Sequence, residues 1–380
     1  MSLVPRWKRV VLSLAAPVAA LVFSVLMSSI VLLIARSNPL AAFSDMFQHA
    51  SRLETMIDIL NRATPLYISG VAAAIGFRMN LFNIGVEGQY LLAAIIAAHL
   101  GAMVVLPPGL HVLFILLVAM AVGATYSGFA GVLKVTRGIN EVISTIMLNA
   151  IAISGIVAYL IRRWQAGGFI EAGVQRVGTA PIPASGRIPD LNPVLEFFTR
   201  DIRQGKTLTG VLVVAILVGV AFHILLNRTR FGFDLRASGI NPFAAQVGGV
   251  PPRRMVVLAM VLSGAVAGLV GMTEIMQLGL FPSNPIRLLG FTGIAVALLG
   301  RNNPTGILFG ALVFAFLDVS SGVLQFTGAA SREIVVIMQG VILLAAVVAY
   351  EITRRARERE EARTAAAALE TESQLVESPA

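Results

Sequence analysis

A chain of 380 residues that is 57 % apolar and only 13 % charged, with a mean hydropathy of +0.83, is not an ordinary soluble domain. Its net charge of +9 sits in connections (Arg6, Lys8 and Arg9; Lys134 and Arg137; Arg228, Arg230, Arg236, Arg253 and Arg254; Arg354, Arg355, Arg357 and Arg359), as on cytoplasmic flanks of membrane spans, and no aromatic-interleaved basic patch supports nucleic-acid binding. Cysteine is absent, which excludes disulfides and thiolate metal sites.

Several apolar runs exceed the roughly 18 residues that read as a transmembrane helix, so the expected fold is an all-α polytopic membrane protein. Residues 10–35 form an apolar run behind a basic start, too long for the core of a secretory signal, and read as a retained first span. About ten transmembrane helices are expected, at about 10–35, 62–77, 84–106, 110–133, 142–161, 208–226, 255–277, 286–300, 305–325 and 334–350. An even count puts both termini on one side, and both are basic, which points to the cytoplasm. The loop 162–207 then lies outside, although it carries seven Lys/Arg against four Asp/Glu. It is rich in Pro and Gly and reads as irregular with a short helix. Five spans precede that loop and five follow it, which fits two inverted five-helix halves. In each half the third span sits beside a polar or Gly/Pro break, at Asn80 to Gln89 and at Phe281 to Gly293, and matching breaks point to a pathway at the interface of the halves. Residues 1–350 thus read as one permease-like domain. The tail 351–380 has no apolar periodicity and reads as disordered.

The first break is the most informative stretch. Asn80, Asn83 and Gln89 offer amides, Glu87 a carboxylate, and Gly85 and Gly88 room for close backbone approach. Non-helical backbone and a carboxylate survive at membrane depth only beside a cavity or packed protein. The pathway reading therefore competes with a structural one, in which Glu87 and the amides satisfy open backbone and lock spans together. Downstream, Asn140 and Glu141 suit a helix start, whereas Asn149, two turns in, suits an interhelical bond or the pathway. Asn241-Pro242 is a cap followed by proline at the first helical position, so a short helix to Val247 is expected within the cytoplasmic loop 227–254, suited either to docking in a partner's groove or to a solvated connector. Gly264, Gly268 and Gly271 read as a packing face, and Asp318 as a buried carboxylate with Arg332 or Arg301 as partner. Gly205-Lys206-Thr207 lacks the glycine that a phosphate-binding loop needs at 200, where Arg200 stands. Four scattered histidines leave no metal cluster and no nucleophile site. No catalytic residue, metal or cofactor is expected.

Gly76-Phe-Arg-Met-Asn-Leu-Phe-Asn-Ile-Gly-Val-Glu-Gly-Gln89, Gly138-Ile-Asn-Glu-Val-Ile-Ser-Thr-Ile-Met-Leu-Asn149 and Phe291-Thr-Gly-Ile-Ala-Val-Ala-Leu-Leu-Gly-Arg-Asn-Asn-Pro304 resemble the permease subunits of nucleoside-type ABC importers, within the broad group that includes ribose-type and branched-chain amino-acid permeases. The resemblance runs over roughly 60–350. It implies a multi-pass subunit of the bacterial cytoplasmic (inner) membrane, paired with a second permease subunit, an ATP-binding subunit and an extracytoplasmic solute-binding lipoprotein. It further implies alternating access without covalent chemistry. On this resemblance Asn80, Asn83, Glu87, Gln89 and Asn149 are assigned to the solute pathway, and Asp234, Arg236, Asn241, Pro242 and Ala245 to ATPase coupling. The rival readings are a sugar or branched-chain amino-acid permease and, in another class, a secondary transporter driven through Glu87 and Asp318.

Overall fold

The computed structural model describes residues 22–23, 25–171, 174–198, 206–326, 331, 333–345 and 348. The whole tail 351–380, the basic start, Arg200 and Arg332 lie outside them, so the readings placed there rest on sequence alone. The chain divides into two compact units. The first, Met1–Gln48 with Ser320–Ala380, contains α1 (Val25–Ile34), bent by 116° against α2 (Pro39–Ala50), and α16 (Glu333–Ala345).

The second unit, His49–Val319, opens with α3 (Leu53–Arg78). Every residue of α3 from Ala63 to Gly76 is buried, as in a helix surrounded by others. Then come α4 (Val86–Met103), α5 (Leu110–Arg137) and α6 (Glu141–Ala150). The last continues through a π-helical stretch (Ile151–Val157) into α7 (Ala158–Trp164). Next follow strands β1 (Gln165–Glu171) and β2 (Val174–Thr179) and the short α8 (Asn192–Phe198). After them run α9 (Val211–Arg228), α10 (Arg230–Ile240), α11 (Pro242–Val247), α12 (Pro252–Gly268), α13 (Met272–Leu278), α14 (Leu289–Leu299) and α15 (Pro304–Phe326).

Six of these stretches are long and apolar enough to cross a membrane, seven if α1 and α2 count as one bent span. That falls short of the ten expected. Among the described residues, α3 carries Glu54, Asp58, Asn61 and Arg62 in its first half, and α14 has only 11 residues, fewer than a bilayer-spanning helix needs. The loop 162–207 also differs from expectation. It contains the short helix α8, but β1 (Gln165–Glu171) and β2 (Val174–Thr179) pair antiparallel in it. The adjacent glycines in β1 hid that hairpin from a propensity reading.

Small residues set the helix spacing. A Cβ at Gly264 would stand 2.2 Å from the Gly123 carbonyl oxygen, one at Gly123 2.2 Å from the Gly264 oxygen, and one at Gly268 2.1 Å from the Ala119 oxygen. The backbones of α5 and α12 therefore touch, with Ser127 against Gly264. Gly219 of α9 likewise admits the Tyr67 hydroxyl, and Gly293 of α14 admits Ser69. Where lipid tails are as apolar as the helices, this close packing supplies the association energy that hydrophobic burial supplies in water. Ion pairs join the ends: Arg62 with Asp318, Lys134 with Glu141, and Lys206 with Asp58. Asp318 pairs with Arg62, on a turn of α3 that the sequence reading did not consider.

Gly264→Leu forces α5 and α12 apart and is expected to lower stability by about 1–3 kcal/mol. A depressed Tm of the detergent-solubilised protein would register it. Gly155→Ala, whose added Cβ meets nothing within 4 Å, serves as the unchanged control.

Candidate functional site

The first break is the bend from α3 into α4. Asn80, at φ 57°, takes the left-handed conformation that asparagine tolerates, and Leu81 N donates back to the Gly76 carbonyl at 3.0 Å. The chain then turns inward. The Asn83 and Gln89 amides pair reciprocally: Asn83 Nδ2 donates to Gln89 Oε1 at 3.0 Å, and Gln89 Nε2 to Asn83 Oδ1 at 2.8 Å. Asn83 Oδ1 also accepts from Gly85 N at 3.1 Å, and its Nδ2 reaches Ser263 Oγ of α12 at 2.9 Å. Ser263 passes the chain on to the Ala72 carbonyl of α3 at 2.6 Å. One buried amide thereby ties α3, α4 and α12 together.

Asn149 holds the other side of the same turn. Its Nδ2 donates to the Ile84 carbonyl at 2.7 Å, and its Oδ1 accepts from Gly88 N at 2.8 Å. Those are open backbone groups at the start of α4, where no helical partner exists. Gly88 is required there: a Cβ would lie 2.9 Å from both Asn149 Oδ1 and Ala152.

Glu87 reaches out of the first break into the second. Its Oε1 accepts from Leu288 N at 2.6 Å and from the Tyr90 hydroxyl at 3.0 Å, and its Oε2 accepts from Gly290 N at 2.7 Å. The carboxylate therefore caps the N-terminus of α14, where open N–H groups and the helix dipole favour negative charge. Tyr90 OH is also 2.8 Å from the Ile286 carbonyl, and both oxygens of Glu274 accept from Ile286 N at 3.1 Å. Leu288 stands at φ 69°, a strained conformation for a leucine that persists because these bonds over-determine it. Gly290 must be glycine, since a Cβ would fall 2.5 Å from Glu87 N. The upper end of the second break leans on β2 instead, through Thr179 N to the Phe281 carbonyl at 3.0 Å and Ser283 N to the Val177 carbonyl at 3.0 Å.

Of the residues assigned to the pathway, Asn83, Glu87, Gln89 and Asn149 are buried and joined in this network, while Asn80 is exposed and outside it. Sequence reasoning missed Tyr90, Ser263, Glu274 as a clamp, and the backbone of 286–290 as the target of Glu87. The one signal available was the pairing of breaks in the two halves. A separate apolar cavity of about 420 Å³ lies between α3, α9 and α15, bordered by Leu60, Tyr67, Ile216, His223 and Leu308.

On the connecting loop, Asn241 Oδ1 accepts from Phe243 N and Ala244 N at 3.1 Å each, starting α11 at the expected position. Ala245 is buried, whereas Phe243 is 83 % and Val247 91 % exposed. Arg236 caps the last carbonyls of α9 through Leu226, and Asp234 is half-buried. Gly239 of α10 lies flat on the inner end of α3, with a Cβ there only 2.8 Å from the Met79 carbonyl carbon. Arg78 bonds the Asn302 carbonyl, at 2.9 Å through Nη2, and Asn303 Oδ1 at 2.7 Å. The loop thus abuts the residues that lead into the first break.

Residues 55–347 match the family model described as branched-chain amino acid transport system / permease component. The chain is 30 % identical over 335 residues to the nucleoside ABC transporter permease protein NupB of Lactococcus lactis, covering 87 % of this chain and 90 % of that one. It is 29 % identical over 344 residues to the guanosine ABC transporter permease protein NupP of Bacillus subtilis, covering 89 % and 94 %. It is also 29 % identical over 347 residues to the glucose ABC transporter permease protein TsgB13 of Haloferax volcanii, covering 90 % and 88 %. No solved structure matches.

Glu87→Ala leaves the Leu288 and Gly290 N–H groups without acceptors, at about 1–3 kcal/mol for each orphaned donor. Thermal unfolding is expected to fall accordingly, with Glu87→Gln in between because its single oxygen can serve only part of the set. A Tm unmoved by Glu87→Ala would show that the carboxylate does not hold the second break.

Proposed function

The chain belongs to the family of branched-chain amino acid transport system permease components, and from that premise we propose that it is the nucleoside-carrying permease subunit of an ATP-driven importer. Family membership makes it a multi-pass membrane transport component; ATP hydrolysis belongs to a separate subunit. The observation that carries the nucleoside reading is the near full-length likeness to NupB and NupP. The likeness to TsgB13 is nearly as long and keeps a sugar as the second reading. An ion-coupled secondary transporter is disfavoured by the site itself, because Glu87 is fully engaged with backbone and Asp318 is paired with Arg62.

The proposed topology counts α3, α14, α16 and the bent pair α1–α2 as spans beside the six apolar ones. That brings the number to ten, in two inverted halves within 1–350, with 162–207 outside and both termini in the cytoplasm. The proposed assembly adds a second permease subunit, an ATP-binding subunit and an extracytoplasmic binding lipoprotein in the cytoplasmic membrane. In it, α11 seats its exposed Phe243 and Val247 in the ATP-binding subunit, with Asn241 and Pro242 starting the helix and Ala245 packing it back. Asp234 and Arg236 hold α10 in the loop. The contact of Gly239 with Met79 supports a mechanical route from α11 to the first break. Asn83, Glu87, Gln89 and Asn149 then act on the pathway by fixing its broken backbone, and Asn80 sits at its edge.

Isothermal titration of the cognate binding protein with nucleosides, glucose and branched-chain amino acids tests the solute class; heat with glucose or an amino acid alone would displace the nucleoside reading. Replacing Asn241-Pro242 by Gly-Gly removes the cap, about 1 kcal/mol, and should weaken attachment of the ATP-binding subunit about fivefold. Undiminished co-purification would refute the docking of α11.

A further inference from the structure

Residues 281–288 descend from β2 to the start of α14 as irregular backbone. Three side chains from two other helices, Glu87, Tyr90 and Glu274, are devoted to its main-chain groups. Phe281 and Pro285 are buried, but Asn284, Ile286, Arg287 and Leu288 are exposed, as is Phe291 at the start of α14. Among the described residues, Arg287 and Asn284 make no side-chain hydrogen bond and Arg287 no ion pair.

The depth of this edge decides what it can face. The 11 residues of α14 rise about 16 Å from Leu289 to the charged turn at Gly300 to Asn303, roughly half of a ~30 Å hydrocarbon core. A guanidinium at that depth does not face lipid; it faces protein or water. An exposed aromatic ring, a cation with paired donors and a free amide, carried on a strained segment that other helices hold rigid, form a surface for a planar polar solute.

We infer that Asn284, Arg287 and Phe291 are the solute-contacting edge of the pathway. The heterocycle of a nucleoside lies against the Phe291 ring while its oxygen and nitrogen acceptors meet Arg287. Glu87, Tyr90 and Glu274 are positioning residues that keep the edge in place. The inference rests on the nucleoside-permease reading and goes beyond it by moving solute contact from the first break to the second.

The natural chain has no cysteine, so single-cysteine variants report water access directly. N284C, R287C and F291C, each in the assembled transporter in native membrane vesicles, are treated with a charged, membrane-impermeant methanethiosulfonate. The label is then read as a mass shift of this chain. L217C, an exposed apolar position of α9, and F281C, a buried one, are the controls. Expected is labelling of R287C and F291C well above both controls. Guanosine at about ten times the Kd of the variant under test should slow its labelling about tenfold, the fraction of sites left open by mass action. Labelling no faster than L217C, or labelling that no transported solute slows, overturns the inference. Uptake by the wild-type complex is measured beside it: transport of glucose and not guanosine sinks the nucleoside reading. Solute protection is then tested with glucose, and protection by glucose would keep the edge as the contact surface while removing the heterocycle from it.

Discussion

A carboxylate in a water-poor interior is tolerable only when its lone pairs are met, and Glu87 meets them with backbone. Two N–H groups at the head of α14 and the Tyr90 hydroxyl converge on it. The dependence is mutual, because the start of a helix carries open donors that must find an acceptor when they are buried. Remove the carboxylate and the second break loses its anchor. Remove the break and the carboxylate is buried unpaired. Each irregularity of the chain is thus the condition for the other.

The same economy runs through the neighbouring contacts. Asn149 satisfies the open groups of the first break, Glu274 those of the second, and the Asn83–Gln89 pair closes on itself and on Ser263. Around these polar knots the helices approach as closely as backbones can, through Gly123, Gly264, Gly268 and Gly293. Rigidity at the knots and tight sliding surfaces between helices suit a subunit whose work is to switch between two packings rather than to make or break bonds. Gly239 against Met79 gives the loop 227–254 a point of purchase on the first break.

Much of the second break's role was invisible in one dimension. Arg287 and Phe291 fall within the second break, Phe281 to Gly293, and nothing in the sequence sets them apart from their neighbours there. Only their placement at the short helix α14, with Leu288 held at φ 69°, marks them as special. Glu274 clamps the backbone of Ile286 twelve positions on, a contact that no spacing in the sequence signals. Asp318 pairs with Arg62, more than 250 positions away in sequence, a meeting that no local spacing announces.

The amino-acid sequence alone determined the membrane class, the place of both breaks, the caps at Asn140 and Asn241, and the small-residue faces. Each of these depends on local composition or on spacings within one helix. The tertiary structure decided which groups meet across 60 to 220 positions: Asn149 with Gly88, Glu87 with Gly290, Ser69 with the Leu289 carbonyl. It also decided that Asn83, Glu87 and Gln89 of the first break turn toward protein while Asn80 does not. A buried donor takes whatever acceptor the packing of distant helices brings within 3 Å, and nothing in the local chain encodes that choice.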